Sequence, residues 1–168
     1  MKKGLIITTS VFLMASLAIF LPGFVHGNAP VGELRPLPDG KFEIVNLGPG
    51  PLYFTGYSTS DAIMSARFAP GVGKTLPGVG ICGTGLDSRE IKLGGSAVVM
   101  AYITPEAFSG DPVIVSCHVH GRLSGWNQFT TWIARKVPAT KTWFPPKYAP
   151  TANLETKPFV PSKPVAAK

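Results

Sequence analysis

Chain breakers recur along this sequence about every ten residues, and that spacing holds each regular element to a handful of residues. The 168 residues include 19 Gly and 17 Pro. Turn signals fall at Asp39-Gly40, 47–51, Gly94-Gly95, 105–112 and 121–125, and a stretch with six glycines occupies 70–85,. No convincing amphipathic helix fits between them. Short alternating or β-branched runs do, at 41–46, 52–57, 62–69, 90–93, 96–104, 113–120 and 126–134,.

The run 113–120, VIVSCHVH, is the most informative. Alternation puts Val113, Val115, Cys117 and Val119 on one strand face and Ile114, Ser116, His118 and His120 on the other,. The first face is wholly apolar and reads as core. The second turns polar, so His118 and His120 point outward together, with Cβ atoms roughly 6–7 Å apart. Two imidazoles at that separation suit copper or zinc, although a complete site needs further ligands and no other His follows the leader. Cys117 faces the other way, which excludes a Cys–His nucleophile pair between these neighbours.

Lys2 and Lys3 precede an apolar run from Leu5 to Phe24, and Val25-His26-Gly27 offers a cleavage site. Residues 1–27 therefore read as a secretory signal peptide, with no transmembrane segment left after its removal. Export to the periplasm or the extracellular space makes a Cys82–Cys117 disulfide the simplest use of the two cysteines. From Arg135 onward there are seven prolines and seven basic residues against one acid, Glu155. Residues 138–168 read as an extended or disordered tail. The leader and the stretch from Arg135 onward account for more than the whole formal charge of +7, so the intervening residues 28–134 are near neutral. The basicity belongs to the tail and marks no specific nucleic-acid face.

Residues 28–137 thus form the folded domain. About seven short strands with turns between them indicate an all-β, antiparallel β-sandwich of immunoglobulin-like type, with a closed barrel as the alternative. Within it no catalytic constellation stands out. Gly71-Val72-Gly73-Lys74-Thr75 looks like the end of a phosphate loop, but Phe68 stands where that motif needs its first glycine,. The aromatics Tyr53, Tyr57, Trp126 and Trp132 offer either core or an exposed binding platform.

Three short motifs occur in order: Gly56-Tyr57-Ser58, Cys82-Gly83-Thr84-Gly85-Leu86 and Leu93-Gly94-Gly95-Ser96. Together they resemble a loose group of small, exported, uncharacterised bacterial immunoglobulin-like domains. The resemblance spans about residues 41–104, implies the same sandwich fold and carries no activity or cofactor with it. The expectation is a non-enzymatic cell-envelope structural or interaction domain. It would engage an unknown protein or an anionic envelope polymer through a sheet edge or the basic tail. Metal binding at His118 and His120, or carbohydrate binding on the aromatics, are the alternatives.

Overall fold

The computed structural model describes residues 27–58, 60–101, 103–138 and 148–161. The leader run 5–24 lies outside them, as do 139–147 and 162–168 of the tail. Nine strands follow in chain order: β1 Gly32–Pro36, β2 Lys41–Asn46, β3 Leu52–Gly56, β4 Asp61–Ala62, β5 Met64–Phe68, β6 Asp87–Ile91, β7 Ser96–Ala101, β8 Val113–His120 and β9 Thr151–Glu155. Among the described residues the α-helix is α1, Gly125–Lys136. Residues 28–122 and 150–161 belong to one compact unit, and 123–138 with 148–149 to another.

The first unit is built of two sheets, antiparallel except at one pairing. One has the order β1-β2-β7-β4, with β4 parallel to β7. In the other, β3 and β5 lie in line along one edge of β8: Phe54 sits opposite Val119, and Met64 opposite Cys117. Between β3 and β5 the chain leaves that sheet so that Asp61 and Ala62 can pair with Met100 and Ala101 of β7. β6 flanks β3, and β9 takes the opposite edge of β8.

The alternation of β8 is realised. Val113, Val115, Cys117 and Val119 are fully buried, while His118 is exposed and His120 half-buried. They join Leu34, Phe42, Ile44 and Val99 of the first sheet and Leu52, Phe54, Met64 and Ile91 of the second in one core. Burying each such side chain contributes roughly 1.5–3 kcal/mol. β7, expected to be apolar-covered on both faces, buries Val99 but leaves Val98 and Met100 more than half exposed.

The sheets meet at Asn46, whose side chain is buried at the corner where β2 leads to β3 and β6 leads to β7. Its Nδ2 lies 2.9 Å from Gly50 O, 3.0 Å from Ile91 O and 3.1 Å from Lys92 O, and its Oδ1 accepts from the Gly48 N–H at 3.0 Å. One amide thus ties both loops that pass between the layers.

Three expectations are corrected. First, the tail is not a free appendage. Within it, Thr151, Asn153 and Glu155 alternate with the partly buried Ala152 and the buried Leu154, a period of two that the Pro- and Lys-rich composition concealed. β9 pairs with β8 from Ser116 to His120, Thr156 bonds both backbone groups of Val115, and Phe159 bridges Val113. Phe159 also packs edge-on against Phe42 of the other sheet, with ring centroids 5.9 Å apart.

Second, 126–134 is helix, not strand. Ser124 caps the start by accepting from the Asn127 N–H at 3.2 Å, and Arg135 and Lys136 occupy the last turn, where they face the negative end of the helix dipole,. The buried residues are Thr130 and Ala134, one helical turn apart,.

Third, the cysteines are not joined. Cys117 is sealed in the core, and Cys82 is exposed on the 70–85 loop; both are free thiols. The Cys82 Sγ lies 2.9 Å from Thr84 Oγ1, and the Tyr57 hydroxyl donates to the Cys82 carbonyl at 2.6 Å. These contacts hold Cys82 at the surface.

Candidate functional site

The outer face of the β8 sheet gathers most of the residues singled out in the sequence. Pairing aligns Glu90 of β6, Tyr53 of β3, His120 of β8 and Thr151 of β9 in one row across four strands. At a strand spacing of 4.7–4.9 Å the row spans about 14 Å. The rings of Tyr53 and His120 stack with centroids 5.1 Å apart and planes 10° apart. The Tyr53 hydroxyl donates to Glu90 Oε2 at 3.3 Å. Burial, and then the Glu90 carboxylate, raise the Tyr53 phenol above its usual range, so it stays a donor,.

His120 is held at both ring nitrogens. Nδ1 lies 3.2 Å from the Gly121 carbonyl, which only accepts, so the proton sits on Nδ1,. In the neutral imidazole Nε2 is then left to accept from the Ser88 hydroxyl, 3.1 Å away,. His118 occupies the same face two residues earlier, with Nδ1 at 2.9 Å from Asn153 Oδ1. Beyond it, Glu155 accepts from Ser116 Oγ at 3.2 Å and pairs with Arg67 at 3.0 Å. The two histidines expected to share a face do so, but each ring is already engaged. Among the described residues, no group of three or more His, Cys, Asp or Glu side chains is placed to hold a metal ion.

Sequence reasoning missed Ser88, because β6 begins three residues before the expected strand and the Ser88–His120 contact joins positions 32 apart. The pair is a hydroxyl set against a base, the arrangement that activates a nucleophile. It lies on an exposed strand, and Ser88 and His120 line neither of the two cavities described below.

The aromatics divide between the two units: Trp126 and Trp132 lie on α1, while Tyr53 lies on the sheet face and Tyr57 in the β3–β4 loop. There Asp61 orders the backbone: its Oδ1 accepts from the N–H groups of Tyr57 at 2.6 Å and Ser58 at 3.0 Å, and its Oδ2 accepts from Ser58 Oγ at 2.7 Å. Gly56 is required here because a Cβ would meet the Asp61 backbone and, at 2.7 Å, its Oδ1. Two of the resembling motifs therefore converge through the Tyr57–Cys82 bond. They enclose a cavity of about 370 Å³ lined by Tyr57, Ile63, Met64, Val79, Ile81 and Cys82. The Thr84 hydroxyl, then its N–H, lower the exposed Cys82 thiol below the usual range. A second cavity of about 350 Å³ lies between Pro36–Phe42 and Phe159–Pro161. In the phosphate-loop look-alike, Lys74 is paired with Asp111 at 2.6 Å.

Comparison with protein families, with curated proteins and with solved structures gives no match for this chain.

Proposed function

With no relative to borrow from, we propose that this chain is a non-enzymatic, exported cell-envelope interaction domain, an immunoglobulin-like sandwich in type. The observation that supports this is the row Glu90–Tyr53–His120–Thr151. It sets a stacked aromatic pair among hydrogen-bonding groups on a solvent-facing sheet, outside either cavity, which suits holding a surface more than enclosing a substrate,. Hydroxyl-rich polymer is the partner chemistry this row fits, because carboxylate, amide, imidazole and hydroxyl groups flank an aromatic stack. A glycan is therefore favoured over an anionic polymer, which the Glu90 carboxylate would repel. The alternative of a metal held by His118 and His120 would first have to break a bond of His120, to Ser88 or to Gly121.

The test is side-chain NMR of the His118 and His120 imidazoles during titration with soluble envelope glycan fragments. Both resonances should move, and Tyr53→Ala should weaken binding about tenfold or more. Imidazoles that stay still throughout would refute the glycan reading. Ser88-dependent turnover of an activated ester would overturn the non-enzymatic one.

A further inference from the structure

Helix α1 carries an apolar ridge that no part of the proposed function uses. Trp126, Phe129 and Trp132 recur every three residues and are 48%, 46% and 57% exposed. Their rings run as a continuous series, with centroids 6.0 Å apart from Trp126 to Phe129 and 6.3 Å from Phe129 to Trp132. Val137, just past the helix end, is 49% exposed. The helix's own buried residues, Thr130 and Ala134, lie on a different side,. Lys136 follows Phe129 by seven positions and Trp132 by four, which places it on the ridge's own face,.

Charge narrows what this ridge can meet. From Asp111 to Glu155 the sequence places no acidic residue and five basic ones, Arg122, Arg135, Lys136, Lys141 and Lys147. Amphipathic tryptophan rings prefer the boundary between headgroups and acyl chains, and basic side chains beside them prefer anionic headgroups. The helix is about 18 Å long, too short to span a bilayer and long enough to lie along one. No helix among the described residues is long and apolar enough to cross a membrane.

We infer that α1 is an interfacial membrane helix, which lays Trp126, Phe129 and Trp132 into the surface of an anionic bilayer with Lys136 and Arg135 at the headgroups. The two basic residues add roughly 1 kcal/mol each near such a surface, about tenfold or more together in partition.

The test uses the full chain carrying Trp143→Phe, so that Trp126 and Trp132 are the only indoles. Vesicles are made from equal parts phosphatidylglycerol and phosphatidylcholine with brominated acyl chains, and in parallel from brominated phosphatidylcholine alone. Bromine should quench the two indoles in the mixed vesicles, with about tenfold weaker partition into phosphatidylcholine alone. Adding Arg135→Gln and Lys136→Gln, both at exposed positions, should weaken quenching to the same degree. The apolar leader has lipid affinity of its own, but quenching reads only where the helix lies. Indoles unquenched on vesicle-bound chain would overturn the inference and assign the ridge to a protein contact. Equal quenching with or without the anionic lipid, or with or without the two basic side chains, would also overturn it.

Discussion

Asn46 offers the sharpest test of how the two sheets are joined. Its amide carries two protons and faces three carbonyl oxygens within 3.1 Å, while its oxygen accepts the Gly48 N–H. Asn46→Ala removes about three hydrogen bonds' worth of interaction, each worth roughly 1 kcal/mol net, from a site where water cannot easily replace them. The expected loss is about 3 kcal/mol. For a domain of this size it would appear as a fall of about 1–2 M in the urea midpoint. Asn46→Asp keeps the shape and sharpens the reasoning. An ionised carboxylate would face the carbonyls of Gly50, Ile91 and Lys92, so its folded pKa would rise above the unfolded value near 3.9. A raised folded pKa gives stability that is present below the unfolded value and lost as pH climbs. Measured against wild type at each pH, the Asp variant should therefore be least impaired near pH 3–4 and grow worse above it. An Ala variant within about 0.5 kcal/mol of wild type, or an Asp variant whose pH profile parallels wild type, would refute the idea that this amide ties the layers.

Four further outcomes follow from the cysteines and from β9. Alkylation of the native chain should add one group, at exposed Cys82, and a second only after unfolding, as read by intact mass. Burial pushes the Cys117 thiol up to about 12, so stability should fall as pH rises from about 9 toward 12, and Cys117→Val should flatten that fall in denaturation midpoints taken across the range,. A native chain that takes two groups would contradict the sealed core. Deleting residues 150–168 should abolish cooperative unfolding, and Leu154→Ala should cost about 2–4 kcal/mol in a urea titration,. A truncated chain that still melts cooperatively would show β9 to be dispensable.

What could be read from sequence followed from period and range. β8 and β2 were legible because an apolar residue at every second position has one strand reading, and both strands appear where expected. The run 126–134 was not, because Trp, Phe, Thr and Ile are strand-formers whose short alternation also fits a helix face. The signals that decide it lie at its ends, in the Ser124 cap and in Arg135-Lys136 ahead of Pro138. β9 was hidden because the composition of the whole tail outweighed five alternating residues inside it. β1, likewise, reads as lead-in because Pro30 and Pro36 frame it, yet proline is tolerated at the end of an edge strand,. The candidate site was half visible. His118 and His120 declared their shared face, but Ser88, Glu90, Asn153 and Glu155 reach it only through strand pairing, and Arg67–Glu155 joins positions 88 apart.

The place of β9 also bears on how the chain is made. β8 and β9 are neighbours joined by thirty residues, of which 123–149 belong to a separate unit, and the Gly121 N–H bonds the Pro150 carbonyl where β8 ends and β9 begins. In a chain that lacks β9, β8 can pair on one side only, with β3 and β5, while its other edge has no partner. An open strand edge of eight residues, VIVSCHVH, is a template for pairing between copies,. A chain that stops between His120 and Phe159 would therefore leave that edge bare and open to pairing between copies,.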